Sequence, residues 1–303
     1  MLYERVITAC LAVPWAIHPE KLRVIQSILA RKARGEAIPE AEIEAARQQQ
    51  RKPSGPTPPG GVGLVPIYGT ITQRADLFTE WSGGTSTEQV GQRIDQLAAD
   101  PGVKAIVLDV DSPGGSVYGV AELADKIRAV AKDKKVTGVA NSEAASAAYW
   151  ILSQAGEVVV TPNGQVGSIG VYLMHVDQSE ELKAIGRSVT LLSAGERKTA
   201  GNPYGPLDQL GREELQASVD DYYDKFVRAV ARGRGRQPAT VRDGFGKGGM
   251  VRSEQAVSEG MADRVATLDE VLSRYGVTTA DLTAAAASAH HGVVVRRRRM
   301  LLD

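Results

Sequence analysis

The sequence predicts an α/β protein built on a mostly parallel β-sheet, and three observations carry that reading. Apolar residues make up 43% of the 303, enough for a substantial core. Short β-branched apolar runs alternate with segments of helical periodicity between Gly63 and Thr161. Their order is strand, helix, strand, helix, strand, at the spacing that right-handed crossovers between parallel strands require.

The elements follow in order. Val6 to Ile17 is an apolar run interrupted by Pro14 and too short to span a membrane. It reads as a surface helix within a helical amino-terminal segment, residues 1–52, with no clean signal-cleavage site. Residues 53–61, rich in proline and glycine, read as a linker. A second, larger domain is expected over 62–275, opening with a strand in Gly63–Thr72. Lys104–Val110 is a buried strand, and Val117–Lys132 a helix with Val120, Leu123, Ile127 and Val130 on one face. Val136–Ala140 is a strand, Ala144–Gln154 a helix, and Glu157–Thr161 and Val189–Leu192 are strands. Leu207–Arg232 is a long amphipathic helix, and Glu254–Gly260 and Leu268–Tyr275 are short closing helices. Residues 276–303 turn alanine-rich, end in Arg296–Arg299, and read as a flexible basic tail.

Composition excludes several functions. The 36 basic and 36 acidic side chains cancel, which leaves no electrostatic footprint for nucleic acid or a membrane surface. One cysteine, Cys10, forbids an intramolecular disulfide and cannot build a cysteine zinc site alone. Four histidines argue against a histidine-rich metal centre and a Ser-His-Asp triad. No cofactor or metal is expected.

Four separated segments could do chemistry. In Ala144-Ala145-Ser146-Ala147-Ala148 small neighbours would let an acyl carbonyl reach the Ser146 hydroxyl, and the Ala147 N–H could donate to a developing oxyanion. The same residues also describe an alanine-rich helix start capped by Ser142 or Ser146. In Asp111-Ser112-Pro113-Gly114-Gly115-Ser116 two glycines permit close backbone approach to a ligand, and no Gly-Lys-Ser/Thr ending marks a phosphate loop. It could equally be an ordinary strand-to-helix turn. Gln165-Val166-Gly167-Ser168-Ile169-Gly170-Val171 could place Ser168 on an amine or simply join two strands. Lys198, one of twelve lysines, would serve as a base only if burial lowered its pKa toward neutrality.

Together, in this order, Ser112-Pro113-Gly114-Gly115, Ala144-Ala145-Ser146, Gly167-Ser168-Ile169-Gly170-Val171 and Lys198 resemble the S49 peptidases, the signal peptide peptidase A group. The segment Gly249–Asp263 resembles their closing pattern, so the resemblance runs from about Gly61 to Tyr275. It implies a ClpP/crotonase-like superfold and a Ser-Lys dyad, with Ser146 as nucleophile and Lys198 as general base. Ser168 would orient the lysine, and Gly114 or Gly115 would join Ala147 in the oxyanion hole. Cellular members usually carry methionine where this chain has Glu143, two glycines in place of Ala147 and Ala148, and a membrane anchor. These departures resemble the bacteriophage branch, as do Tyr3-Glu4-Arg5, Pro14-Trp15 and Asn202–Leu207. That branch implies scaffold, portal or head proteins as substrates, a host-cytoplasm or prohead location, and a homo-oligomer with active sites shared between subunits. Three other readings remain. One is a host-type signal peptide peptidase, another a non-catalytic capsid scaffold module, and the last an acyl-CoA enzyme on the same superfold.

Overall fold

A computed structural model describes residues 14–23, 60–74 and 84–281. The main sheet is mixed and mostly parallel. Its path runs β10 (Met250–Arg252), β9 (Gln165–Gly167), β7 (Lys135–Ala145), β5 (Ala105–Ser112) and β2 (Val62–Tyr68). Strand β8 (Glu157–Val160) also pairs with β7, and β11 (Arg264–Val265) pairs with β8. Among the described strands of this sheet, only β10 runs antiparallel to its neighbour. The eleven-residue β7 serves two partners on one edge, first β8 through Thr137–Ala140 and then β9 through Glu143–Ala145.

Strand β5 reads as a near-continuous apolar run because both faces of the sheet are covered. Ile106, Leu108 and Val110 join the larger core, and Val107 joins the smaller one. The larger core lies under helices α1 (Thr87–Ala99), α2 (Val120–Val130), α3 (Ala147–Leu152) and α5 (Gln209–Arg234). A short helix α4 (Ser179–Ala184) precedes α5 and buries no residue. The carboxyl-terminal part adds α6 (Pro238–Asp243), α7 (Ser253–Glu259) and α8 (Leu268–Ser273). Helix α8 closes the opposite face with Leu268, Val271 and Leu272 against Val62, Val107, Val139 and Val159. The Phe226 ring of α5 stacks on Trp150 of α3 at 4.7 Å between centroids and 11° between planes. That contact ties the long helix to the helix that follows Ser146.

A second, smaller sheet has the order β1 (Trp15–Ile17), β6 (Gly114–Ser116), β3 (Ile71–Thr72) and β4 (Thr85–Ser86). Its presence corrects part of the sequence reading. Among the described residues of the segment expected to be helical, Trp15–Ile17 is a strand and residues 19–23 are helical. A three-residue strand carries too little periodicity to be read from sequence. The rest of 1–52 and residues 53–59 of the expected linker lie outside the described residues; Gly60 and Gly61 form a turn. The expected strand Val189–Leu192 is absent: these residues have no regular structure, and Leu192 is 94% exposed. β-Branched composition gives a strand only where a neighbouring strand offers pairing and cover. Val277, within the segment expected to be a tail, is buried in the core that α8 closes; residues 282–303 lie outside the described residues. Helix α1 was not anticipated, although Ser86 caps it by accepting from the Gln89 N–H at 3.3 Å.

Candidate active site

Strand β5 delivers the chain to Ser112, whose hydroxyl donates to the Gly69 carbonyl at 2.6 Å and accepts from the Gly114 N–H at 3.2 Å. Pro113 then turns the chain out of the main sheet into β6 of the second one. Both glycines are dictated by their surroundings. Gly114 has φ 95°, and a Cβ there would sit 2.2 Å from the Ala16 carbonyl oxygen and 3.0 Å from the Ser146 Cβ. A Cβ on Gly115 would lie 1.9 Å from the Ile71 carbonyl oxygen. These two glycines therefore let β1 and β3 pack closely on either side of the turn.

Ser146 stands between the end of β7 and the start of α3, at φ 55° and ψ −118°. An L-residue adopts positive φ of this kind only where the surroundings enforce it, and such outliers gather at functional sites. Three contacts enforce it here. The Ser146 N–H donates to the Gly167 carbonyl at 2.7 Å, extending the β7–β9 ladder by one residue. The Ser146 carbonyl accepts the first helical bond from Trp150 N–H at 2.9 Å. Alanines at 144, 145, 147 and 148 are all fully buried, so the turn is packed on both sides. This strand–turn–helix arrangement places the hydroxyl at the carboxyl end of a central parallel strand. The Ala147 N–H, at the first position of α3, has no partner within the helix.

Small neighbours were expected to leave the hydroxyl accessible. Instead Ser146 is 1% exposed, and its Oγ lies 3.4 Å from the Gly170 carbonyl. Ser168 is brought beside this turn by the same ladder. It has φ 52°, is 7% exposed, and its N–H donates to the Gly249 carbonyl at 2.7 Å. Thus three of the four segments converge on Ser146. Lys198 does not join them within one chain: it is exposed, with no side-chain hydrogen bond or ion pair among the described residues. Its stretch also exposes Val176, Ile185, Val189, Leu191, Leu192 and Tyr204.

The surroundings of the turn are acidic and partly desolvated. Burial pushes the Glu143 carboxyl above the usual carboxylate range, with Lys21 and His18 pulling the other way and Asp111 adding to the rise. Below it, buried Asp109 accepts from the Tyr68 hydroxyl and, at 3.0 Å, from Asn141 Nδ2. Sequence reasoning missed one component altogether. Strand β1 pairs antiparallel with β6, Ala16 opposite Gly115 and Ile17 opposite Gly114. Pro14-Trp15 marks the place in the sequence, but nothing local says that it reaches a glycine turn a hundred residues away.

With this geometry in place, the sequence model of peptidase family S49 matches residues 128–281, just over half the chain. The chain belongs to peptidase family S49. The S49 match covers Ser146, Ser168 and Lys198, while the glycine turn precedes it. Among curated relatives, capsid assembly protease C of Escherichia phage lambda is 32% identical over 213 residues, 70% of this chain and 48% of that protein. Head-tail preconnector protein GP5 of Enterobacteria phage P21 is 26% identical over 284 residues, 89% of this chain and 56% of that protein. Protease 4 of Haemophilus influenzae is 26% identical over 217 residues, 71% of this chain and 34% of that protein. The chain therefore spans about half the length, or less, of these relatives. Among the described residues no helix is long and apolar enough to cross a membrane.

Proposed function

We propose that this S49 member is a serine endopeptidase that acts on head proteins during phage capsid assembly. The observation that carries the reading is the enforced φ of 55° at Ser146, on a strand–turn–helix elbow with a glycine shoulder at Gly114. The names of the two phage relatives, one a capsid assembly protease and the other a head-tail preconnector, support the setting. Scaffold, portal or head proteins are the substrates this implies.

In the proposed mechanism Lys198, as a neutral amine, takes the Ser146 proton while Oγ attacks a peptide carbonyl. The Ala147 N–H and a donor from the Gly114-Gly115 turn stabilise the tetrahedral oxyanion. Lys198 then protonates the leaving amine, and water hydrolyses the acyl-enzyme by the reverse proton path. Ser168 holds the lysine. Lys198 is exposed within one chain, so the base has to be taken out of water by assembly before it can act. The apolar side chains exposed beside Lys198 support that requirement, since a patch of this kind marks a contact surface. The active unit is thus a homo-oligomer in which a neighbouring copy dries the amine or supplies it.

The test is reaction with a serine-directed fluorophosphonate together with cleavage of the co-expressed head proteins. Ser146→Ala is expected to abolish both and to remain folded. Lys198→Ala is expected to lower the labelling rate by at least ~10²-fold, the lower end of general-base contributions. Undiminished cleavage by purified Ser146→Ala protein would refute the assignment. A folded, fully assembled protein that neither labels nor cleaves, even when a substitution in Trp15–Ile17 uncovers Ser146, would favour a scaffold role instead.

A further inference from the structure

We propose that the groove beside Ser146 binds extended peptide by pairing with it on both edges, and that the chain's own Trp15–Ile17 fills this groove as a tethered substrate mimic. The proposal takes its meaning from the peptidase reading, but its central measurement does not depend on turnover.

The two-sided pairing is explicit. On one edge Trp15 exchanges both backbone bonds with Tyr172, at 2.9 and 3.0 Å. On the other edge β1 lies antiparallel to β6, flanked by His18 N–H to the Pro113 carbonyl at 2.8 Å and Val117 N–H to the Pro14 carbonyl at 3.4 Å. Hydrogen-bonded pairs alternate in an antiparallel ladder, so the pair between these two, Ala16 with Gly115, also exchanges both bonds. Trp15 and Ala16 therefore bond to opposite edges in turn, as a bound peptide does when it adds a strand to a sheet.

The position is that of a substrate. Around Gly114, the point a Cβ would occupy is 2.2 Å from the Ala16 carbonyl oxygen and 3.0 Å from the Ser146 Cβ, so the strand passes the candidate nucleophile on the glycine shoulder. The strand also takes up the donors that the chemistry needs. The Gly115 N–H is held by Ala16, and the Gly114 N–H is turned to Ser112 Oγ. Ser146 itself is 1% exposed in this arrangement. A peptide substrate could reach neither the hydroxyl nor the glycine turn until the strand leaves.

The strand is built to leave. It is only three residues long, with Pro14 before it and Pro19 shortly after, so its pairing stops at the six backbone bonds of Pro14–His18. Yet belonging to the same chain favours it strongly, because an intramolecular segment competes at an effective concentration of the order of millimolar. The ligand class follows from the occupant: an extended peptide with large apolar side chains flanking a small one, as in Trp15-Ala16-Ile17, whose residues are all buried.

The experiment uses the full chain carrying Ser146→Ala, so that nothing is cleaved, and a fluorescein-labelled synthetic peptide of the sequence Pro14–His18. Fluorescence anisotropy is read for the intact strand and for two opened variants. Ala16→Pro removes the N–H that Ala16 gives to Gly115, and Trp15→Gly removes the buried ring. Circular dichroism checks the fold. The opened variants are expected to bind the peptide at least tenfold more tightly than the intact chain. In the Ser146-bearing background, fluorophosphonate labelling is expected to speed up by a similar factor. A folded opened variant that binds no better than the intact chain would overturn the proposal. So would loss of fold in both variants, which would make β1 a permanent part of the structure. Tight peptide binding without any labelling would leave the groove standing and remove the nucleophile assignment instead.

Discussion

Replacing Gly115 by alanine tests how tightly the glycine turn is built. The new Cβ would stand 1.9 Å from the Ile71 carbonyl oxygen and 2.6 Å from both the Ile71 carbonyl carbon and its amide nitrogen. Those atoms are backbone of β3, so no rotamer change relieves the overlap. Carbon needs roughly 3.4 Å from such an oxygen, so β3 and β6 would have to part by about 1.5 Å. That exceeds what a parallel bridge such as Ile71 to Gly115 tolerates. Overpacking of this kind costs about 1–3 kcal/mol, a sizeable part of a total near 5–15 kcal/mol. Because the displaced turn also carries Gly114 beside Ser146, labelling should fall further than stability does: a shift of about 1 Å is enough for a ~10²-fold loss. Urea unfolding and fluorophosphonate labelling read the two effects. Gly205→Ala is the control, since nothing lies within 4 Å of its Cβ position and its φ is ordinary. If Gly115→Ala were as stable as Gly205→Ala and labelled at the wild-type rate, the inference of a tight glycine shoulder would be wrong.

Two more predictions concern the frame around the site. Phe226→Ala removes a fully buried ring stacked on Trp150 and should cost about 3–5 kcal/mol, seen as a lower urea midpoint. Acid stability should depend on Asp263. Burial raises its carboxyl, but the Arg234 fork at 2.7 and 3.1 Å, the Val158 N–H at 2.7 Å and the Arg234 charge together hold it below the usual carboxylate range. A lowered folded value means stability is fully present above about pH 4 and lost as pH falls through the depressed value. Asp263→Asn should therefore be less stable at neutral pH and lose less on acidification; an unchanged acid limb in urea titrations would contradict this.

Much of the fold was legible because it rests on local patterns. Strand β5 announces itself as a near-continuous apolar run, Ala105–Leu108 and Val110, and the face of Val120, Leu123 and Ile127 in α2 repeats at helical spacing. Leu207–Arg232 was read within two residues of the observed helix at each end, since Asp208 and Gly235 supply its caps. What failed was whatever depended on partners far along the chain. Val189–Leu192 has strand composition but no strand to pair with, and Trp15–Ile17 looked helical because its pairing partners are Gly114–Ser116 and Tyr172.

The candidate site divides in the same way. Ser146, its alanines and the glycines at 114 and 115 could be singled out by residue type, because a tight turn beside a ligand admits only small side chains. Their convergence could not, since it needs the β7–β9 ladder and the turn out of β5. Sequence alone determined the alternating α/β pattern and the set of small residues that mark the turns, for these follow from side-chain size and periodicity within a few residues. Tertiary structure alone decided that Ser146 is covered, that β1 holds the glycine edge, and that Lys198 remains in solvent within one chain. Burial and strand pairing are properties of what a residue meets in space, and no residue carries that information in its own neighbourhood.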